Sequence, residues 1–392
     1  MSEIVILSAV RTPIGAFRGA LKDLSAPALG ARALRAAIER AGLQPADVEA
    51  VDMGCVLTAG VGQAPARQAA LGAGCPPATG ALTVGKVCGS GLKAVMIAAN
   101  ELRAGDFRVV AAGGMESMSN APYLLPQLRD GLRLGHGPLL DSMIHDGLWD
   151  PYKDIHMGGC AELCAAEYGL DRAAQDAYAL ESYRRAREAT ERGLFRDEIV
   201  PVEVAGRKGK TVVERDEEPF KADLDKMPGL KPAFQADGTV TAANASKIDD
   251  GAAALVLTTA EEAARRGRRP LARLVAHATV AQEPERFPTA PVAAVRRVLE
   301  RAGLEPEAID LYEINEAFAV VALACSRDLR LEPDKVNVHG GAVALGHPIG
   351  ASGARILVTL LHALRARDAR LGCAAICLGG GEATAMVVER LA

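Results

Sequence analysis

The chain has 392 residues, of which 49% are hydrophobic and 24% are charged, and its formal net charge is −4 at pH 7. This composition is typical of a soluble globular protein, and the length favours two or three domains. The net charge is slightly acidic and the sequence has no long run of charges of one sign, which argues against a nucleic-acid partner. No apolar run approaches the ~18–20 residues that a membrane span needs.

The N-terminus predicts a first strand at Ile4–Ala9 that ends at a proline turn. Only an acid, Glu3, lies between the first two residues and this apolar run, so the segment does not resemble a signal peptide. The eight cysteines are too sparse for a disulfide scaffold and include no CxxC pair. Cys160 and Cys164 lack a second ligand pair, so we interpret them as packing residues. We expect reduced thiols, a cytoplasmic location and no metal site.

An internal repeat links the two ends of the chain. Residues 34–49 (LRAAIERAGLQPADVE) and 295–310 (VRRVLERAGLEPEAID) each have the pattern of an amphipathic helix that is closed by glycine and followed by a proline turn. A short apolar strand is predicted after each, at Ala50–Val56 and Leu311–Ile314. The repeat predicts a duplicated α/β unit.

Two further pairs of similar segments support the duplication. Gly89–Gly91 and the helix after it resemble Ala351–Gly353 and its helix. Gly113–Glu116, interpreted as a glycine-rich turn after a strand, resembles Gly379–Glu382. The strands before these turns, Val109–Ala112 and Ala374–Leu378, are nearly continuous apolar runs, which indicates sheets covered by helices on both faces.

These patterns predict an N-terminal domain at 1–265 and a C-terminal domain at 266–392, with a loop domain inserted at about 120–247. The sequence of the insertion resembles that of neither half. It contains one clear helix, from an N-cap at Asp171 to Gly193, and a loop at Lys208–Gly238 that is interrupted by prolines. A long insertion between two core halves often covers a site.

Four polar side chains could carry chemistry. Cys88 lies between a predicted strand end and a helix start, where free N–H groups and the helix dipole favour a thiolate, although a buried packing cysteine is the alternative. His347 lies in a glycine-rich loop and is suited to proton transfer or is a surface residue. Cys377 precedes three glycines whose N–H groups can hold an oxyanion, and Asn315 is a polar orienter or an N-cap.

The predicted elements place each of these residues at the C-terminal end of a strand, where sites collect in layered α/β folds. Two thiols, an imidazole and an amide at one edge suit acyl transfer to a carbon acid. One thiolate takes the acyl group, and a second base removes a weakly acidic C–H proton.

Seven motifs, in this order, resemble the thiolase family, and in particular its biosynthetic branch. They extend over nearly the whole chain: VRTPIG (10–15), VCGSGLKA (87–94), GGMESMS (113–119), HMG (156–158), NEAFA (315–319), GGAVALGHPIGASGAR (340–355) and CLGGG (377–381). The resemblance implies a five-layered α/β/α/β/α fold built from two duplicated halves, with an inserted loop domain, in a homotetramer that is a dimer of dimers.

The resemblance also implies a role for each candidate. Cys88 would be acylated and His347 would take its proton. Cys377 would remove the α-proton of a second acetyl-CoA. Asn315, through a water, would join His347 in one oxyanion hole, and the N–H groups of Cys88 and Gly379 would form the other.

A second set of residues matches positions that line the pantetheine and acyl pocket in the family. They are Leu148, His156, Met157, Phe234, Ala242, Ser246, Ala317 and Phe318. Met157 would fill the space of a longer acyl tail, so the resemblance implies acetoacetyl-CoA as the keto substrate. The chain departs from the family pattern at three places: Gly85, Glu382 with Ala383, and Phe220 with Lys221, where relatives often carry an arginine for the coenzyme A nucleotide. The alternatives are weaker binding of coenzyme A there and replacement of that arginine by Lys221 as a point charge.

The implied activity is the condensation of two acetyl-CoA to acetoacetyl-CoA and coenzyme A, and its reverse, with no cofactor beyond the coenzyme A thioesters. The alternatives are a degradative 3-ketoacyl-CoA thiolase of broader chain length and a non-catalytic relative that binds acyl-CoA or lipid. A decarboxylating ketosynthase would pair its cysteine with two histidines, whereas Cys377 is the second base here.

Overall fold

The structure is a computed structural model that describes residues 2–206 and 209–391. Lys208, the first residue of the predicted loop, lies outside the described residues. The strands, numbered in chain order, are β1 (Ile4–Arg11), β2 (Gly15–Ala16), β3 (Ala50–Gly54), β4 (Gly80–Val84), β5 (Val109–Ser117), β6 (Tyr123–Leu124), β7 (Leu140–Asp141), β8 (Trp149–Asp150), β9 (Ile155–His156), β10 (Val202–Gly206), β11 (Gly209–Val213), β12 (Asp249–Thr259), β13 (Ala272–Ala281), β14 (Leu311–Ile314), β15 (Leu371–Leu378) and β16 (Glu382–Arg390).

The helices are numbered in the same way, and short 3₁₀ and π turns connect several of them. Their bounds are α1 (Ala26–Arg40), α2 (Pro65–Gly72), α3 (Ser90–Ala104), α4 (Met157–Tyr168), α5 (Arg172–Glu191), α6 (Glu218–Lys221), α7 (Ala260–Arg265), α8 (Ala290–Ala302), α9 (Ala319–Leu329), α10 (Ala342–Leu345) and α11 (Ile349–Ala366). No helix in the described part of the chain is long and apolar enough to cross a membrane.

One mixed sheet of ten strands runs through the molecule in the order β14-β15-β16-β13-β1-β12-β5-β3-β4, with β2 added beside β12. Its two halves meet at a narrow seam, because β1 and β13 pair only through Val5–Arg273 and Ile6–Ala272. The two outermost pairs, β14 with β15 and β3 with β4, are parallel. The sequence predicted two related halves, and the seam joins them.

The helices form three layers around the two half-sheets. Helices α3 and α11 lie in the middle, where their apolar side chains share one core with the inner faces of both halves. Helices α1 and α2 cover the outer face of the first half, and α8 and α9 cover that of the second. The expected α/β/α/β/α order of five layers is confirmed, and both central helices begin at the same end of the molecule.

The interpretation of Gly113–Glu116 as a turn is wrong, because these residues continue β5 to Ser117. A Cβ atom at Gly113 would lie 2.0 Å from the carbonyl oxygen of Ala253 on β12, and one at Gly114 would lie 2.1 Å from that of Gly350. These glycines are therefore required for the close approach of a neighbouring strand and of the start of α11.

The inserted segment is tied to the sheet by a buried ion network. Arg11 at the end of β1 donates to Glu198 at 2.6 Å and to both carboxylate oxygens of Asp216 at 2.7 and 2.9 Å. All three side chains are buried, and a paired buried charge of this kind is costly to break. The predicted N-cap is also present, since the Asp171 side chain accepts a hydrogen bond from Ala174 N–H at the start of α5.

Candidate active site

A cavity of about 230 Å³ opens beside the first turns of α3 and α11. Most of its lining is apolar, with one thiol, two imidazoles and one ammonium group among the side chains. The lining residues are Cys88, Met118, Gly147, Leu148, His156, Met157, Phe234, Ala245, Ser246, Lys247, Ile248, Phe287, Ala317, Phe318, His347, Ile349 and Gly379.

Cys88 lies on a sharp turn between β4 and α3. The residue before it, Val87, has φ of 43°, a left-handed conformation that is strained for a β-branched side chain. Ser90 holds the turn, because its hydroxyl accepts from Lys86 N–H at 2.8 Å and donates to the Val87 carbonyl at 2.7 Å. The turn places the Cys88 thiol at the cavity wall, just ahead of the helix that follows.

The resting form of Cys88 differs from the expectation. The helix start was expected to favour a thiolate, but burial raises the pKa of the thiol to about 12. The N–H groups of Gly379 and of Cys88 itself approach the sulfur and only partly oppose this effect. Desolvation of a thiolate therefore outweighs the hydrogen bonds available to it, and Cys88 is a neutral thiol until a base takes its proton.

His347 lies in the loop between α10 and α11, and not after a strand as expected. Its backbone N–H donates to Asp249 Oδ2 at 2.8 Å, and its Nδ1 lies 2.6 Å from Ser352 Oγ. The single Ser352 hydroxyl proton goes to the Pro348 carbonyl at 2.9 Å, so Ser352 accepts the Nδ1–H proton. His347 Nε2 then carries the lone pair, and it is buried without a partner.

The electrostatic surroundings keep this imidazole neutral. Burial, and then the positive charge of Arg355, lower the pKa of His347 to about 3. The ring is 4% exposed, so the interpretation as a surface residue is wrong. A neutral imidazole with a free Nε2 at a cavity wall can accept a proton from a thiol.

Cys377 lies near the end of β15, fully buried. Burial raises the pKa of its thiol well above the usual value, and the next contribution comes from the negative charge that Cys88 would carry. The two thiols, almost 300 positions apart in sequence, lie on segments that pack together, since a Cβ atom at Gly89 would lie 2.3 Å from the Leu378 side chain. Cys377 itself does not line the cavity, and a tight turn with φ of 87° and 79° at Gly380 and Gly381 follows it.

Asn315 is buried directly after β14, behind the cavity wall. It is not an N-cap, because α9 begins at Ala319 with Phe318 in the capping position. Its Oδ1 accepts from Arg355 at 3.4 Å, whereas its Nδ2 has no partner. A buried amide with a free N–H donor is suited to hold a water or a developing negative charge.

The structure brings most of the predicted pocket residues together. His156 stacks on Phe234 with ring centroids 4.8 Å apart, and Phe234 meets Phe318 edge to face at 6.1 Å. Met157 is 7% exposed and faces Gly379, where a Cβ atom would lie 3.5 Å from its sulfur. Leu148, Ser246 and Ala317 complete the predicted part of the wall.

Two predicted pocket residues lie outside this cavity. Lys221 ends the short helix α6, and its ammonium group lies 3.9 Å from Glu218. Ala242 is exposed, and its carbonyl accepts a hydrogen bond from Lys247. Neither residue lines the cavity, and both are exposed on the inserted segment.

Several lining residues were missed by sequence reasoning. Met118 and Ile349 lie within two of the seven motifs but were not singled out, and Phe287 has no local signal. The fold brings all three apolar side chains to the cavity. Lys247 did carry a signal, since it is a lone cation in an otherwise small and apolar stretch, NASKI.

The departure at Glu382 has a structural partner. Its carboxylate forms an ion pair with Lys86, two residues before Cys88. The pair connects the turn that carries Cys88 with the turn that follows Cys377. Because both side chains are partly exposed, the pair adds at most about 1 kcal/mol to stability, and its role is to join the two turns.

A metal site is not present in the part of the chain that the structure describes, since no group of three or more histidine, cysteine or acidic residues could hold an ion there.

Comparisons with known proteins agree with this geometry. A family model described as "Thiolase, N-terminal domain" matches residues 4–261, and "Thiolase, C-terminal domain" matches 268–390. An acetyl-CoA acetyltransferase of Cupriavidus necator is 53% identical over 392 residues, which is 100% of both chains. Acetyl-CoA acetyltransferase 2 of Arabidopsis thaliana is also 53% identical and covers 99% of this chain and 97% of its own. The crystal structure of Acat5 thiolase from Ascaris suum in complex with coenzyme A superposes with a TM-score of 0.95 at 46% identity, covering 99% of this chain and 100% of that one.

Proposed function

Because the chain belongs to the thiolase family, we propose that it is an acetyl-CoA C-acetyltransferase, which condenses two acetyl-CoA to acetoacetyl-CoA and coenzyme A and catalyses the reverse thiolysis. The observation that carries this proposal is the neutral thiol–imidazole pair of Cys88 and His347 at one cavity, with the second thiol of Cys377 beside the first. The relatives named above bear the same activity in their names.

In the first half-reaction, His347 Nε2 accepts the Cys88 proton as the sulfur attacks the thioester carbonyl of acetyl-CoA. The tetrahedral oxyanion is stabilised by N–H donors of the site, and its collapse releases coenzyme A, whose thiolate takes the proton back from His347. The free Nε2 and the Ser352 acceptor support this assignment, because together they fix the imidazole in the tautomer that a base requires.

In the second half-reaction, Cys377 passes its thiol proton to His347 Nε2 and then accepts the α-proton of a second acetyl-CoA, and the Cys88 thiolate that leaves at the end of the step takes the proton from His347. The enolate attacks the acetyl group on Cys88, the carbon–carbon bond forms and the Cys88 thiolate leaves. Asn315 Nδ2, through a water, and His347 would hold the thioester oxygen, and the N–H groups of Cys88 and Gly379 would hold the oxygen of the acetyl-enzyme. Both backbone donors approach the Cys88 sulfur, which supports the second assignment.

The size of the cavity supports a short acyl group. At about 230 Å³ it is smaller than the ~300–1,000 Å³ typical of pockets that take whole drug-sized ligands. It has room for an acetoacetyl group and the end of the pantetheine arm. Met157 and the aromatic side chains of Phe234 and Phe318 line it and are proposed to exclude a longer tail. Lys221 and Ala242, on the outer surface, are proposed to contact the nucleotide end of coenzyme A.

We propose further that the chemistry needs no cofactor beyond the thioesters, and that the protein is a cytoplasmic homotetramer. Free thiols at every cysteine support a reducing compartment. The segment between β6 and β7 supports assembly, because Leu134 is 100% and Leu139 64% exposed there.

The test is thiolysis of 3-ketoacyl-CoA thioesters of increasing length by the purified protein. Acetoacetyl-CoA is expected to react fastest, and a 3-ketohexadecanoyl thioester cleaved at the same rate would favour the degradative alternative. Cys88→Ser should abolish acetyl-enzyme formation, because a serine hydroxyl lacks thiolate character. If the Cys88→Ser protein were still labelled by acetyl-CoA, the assignment of the nucleophile would be wrong.

A further inference from the structure

The ammonium group of Lys247 sits in a cage of backbone carbonyls at the edge of the cavity. It donates to the carbonyl oxygens of Ala242 at 2.7 Å, Ala245 at 2.8 Å and Val343 at 3.2 Å. The Tyr183 ring lies on another side, with its centroid 5.5 Å from the nitrogen. An ammonium group has three N–H donors. All three are used by the protein, so Lys247 has none left for a substrate.

One of these bonds lies at the C-terminal end of the short helix α10. In α10, the next helical hydrogen bond would run from His347 N–H to the Val343 carbonyl, four residues back. That bond is not made, because His347 N–H donates to Asp249 Oδ2 at 2.8 Å and Val343 accepts from Lys247. Lys247 and Asp249 thus replace one backbone bond by two side-chain bonds just after Gly346, where the chain has left the helix with φ of 108°.

The other two bonds hold the opposite wall of the cavity. Ala242 and Ala245 belong to one turn, closed by a hydrogen bond from Ala245 N–H to the Thr241 carbonyl at 3.0 Å. The next residue, Ser246, lines the cavity and donates its N–H to the Ala317 carbonyl at 3.0 Å. Lys247 therefore joins the wall that carries Ser246 to the loop that carries His347.

The charge of Lys247 also has a local function. Glu218, Asp249 and Glu316 surround it closely enough to favour its charged form. Burial opposes them and lowers the pKa of Lys247 to about 8. Burial raises the pKa of Asp249 well above its usual value and the charge of Lys247 opposes this shift, so a neutral side chain at position 247 would favour protonation of Asp249.

We propose that Lys247 is a tethered cation that positions His347, and that the carbonyl cage around it is a site for a small monovalent cation when the side chain is removed. Lys247 is thereby a positioning residue for the reaction proposed above, and its effect on turnover rests on that function. The cage itself does not, because it is defined by hydrogen bonds within the protein.

The test compares two variants with opposite effects on the cage. Lys247→Ala empties it, and Lys247→Met fills the same length with a side chain that cannot donate. Both should lower kcat for thiolysis, on the order of 100-fold if His347 moves by about 1 Å. Ammonium chloride should restore at least a tenth of the lost activity to Lys247→Ala and none to Lys247→Met. Choline chloride at equal ionic strength, whose cation is too large for the cage, should restore neither.

A second readout is independent of catalysis. Ammonium should raise the melting temperature of Lys247→Ala above that in choline, because a ligand that binds only the folded state stabilises it. It should not do so for Lys247→Met, nor for Lys210→Ala, which removes an exposed lysine on β11. The proposal would be overturned if Lys247→Ala turned over at the wild-type rate. It would also be overturned if Lys247→Ala were folded but slow and ammonium changed neither its rate nor its melting temperature. Inactivity of the wild-type protein would instead refute the proposed function, and the melting test would still decide on the cage.

Discussion

Replacement of Ser352 by alanine tests whether the tautomer of His347 controls catalysis. Ser352 is fully buried in the first turn of α11, and its hydroxyl is the acceptor for His347 Nδ1–H at 2.6 Å. The substitution removes this acceptor and leaves Nε2 buried without a partner, as before. The buried Nδ1–H is then unsatisfied as well, so the tautomer with its proton on Nδ1 loses its advantage over the tautomer with its proton on Nε2. In that second tautomer the imidazole cannot accept the proton of Cys88.

The size of the effect follows from the cost of an unsatisfied buried donor. That cost is about 1–3 kcal/mol. At 1.36 kcal/mol for each factor of ten, the ratio of the productive to the unproductive tautomer should fall by about 5- to 150-fold. The rate of Cys88 acetylation should fall with the productive fraction, by at most the same factor, because this step requires the free Nε2 lone pair.

The assay is single-turnover acetylation of Cys88 by acetyl-CoA, measured beside the free energy of unfolding. Ser352→Thr keeps a hydroxyl and should recover most of the rate. Ser25→Ala is the matched control: Ser25 caps α1 by accepting from Ala28 N–H at 3.3 Å, so its loss should cost about 1 kcal/mol of stability without slowing acetylation. An acetylation rate for Ser352→Ala within twofold of the wild type would refute the role given to the tautomer.

Three further outcomes are expected. Cys377→Ala should still form acetyl-Cys88 but should lose condensation by about 10²- to 10⁴-fold, as for removal of a general base, and loss of acetylation as well would mean that the two thiols have been assigned the wrong way round. Met157→Ala should raise the kcat/KM ratio of 3-ketohexanoyl-CoA to acetoacetyl-CoA, by roughly fourfold for each methylene that it admits; an unchanged ratio would show that Met157 does not limit chain length. The pKa of His347 is lowered from 6.5 to about 3, so its contribution to stability is present above pH 6.5 and is lost as the pH falls towards 3. Urea unfolding between pH 6 and pH 4 should therefore show a decline that is about 1.4 kcal/mol per pH unit shallower in His347→Asn than in the wild type, whereas parallel declines would mean that His347 is protonated in the native state.

Residues whose role depends on local sequence were predictable. The strand Leu311–Ile314 and the N-cap at Asp171 were located correctly, because apolar period and capping chemistry are local properties. Cys88 was placed on a sharp turn for the same reason, since glycines on both sides of a short polar stretch allow one. The family resemblance and the five-layered fold followed from motifs spread over the whole chain. The division at 265 and 266 and the roles of the site residues stay predictions.

Properties that depend on distant contacts were not predictable. The stretch Gly113–Glu116 looked like a turn, and only the approach of β12 and of the start of α11 explains why glycine is needed inside a strand. The thiolate expected at Cys88 failed in the same way, because the desolvation that raises its pKa comes from a cavity wall built by distant segments. Lys247 was visible as a cation, but its cage joins residues almost a hundred positions apart.

The pKa shifts of Cys88 and His347 both keep the proton on the Cys88 sulfur, and together they determine when the nucleophile is formed. Burial raises the pKa of the thiol and lowers that of the imidazole, so the proton stays on sulfur in the empty site. A charged imidazolium at His347 becomes favourable only as the Cys88 sulfur bonds to the thioester carbon, because the negative charge then moves to the thioester oxygen, which backbone N–H groups can reach. Proton transfer is therefore coupled to attack on the thioester. A neutral thiol is also a poor target for oxidants, since oxidation requires the thiolate. The same desolvation that slows the resting cysteine thus makes its reactivity depend on bound acetyl-CoA.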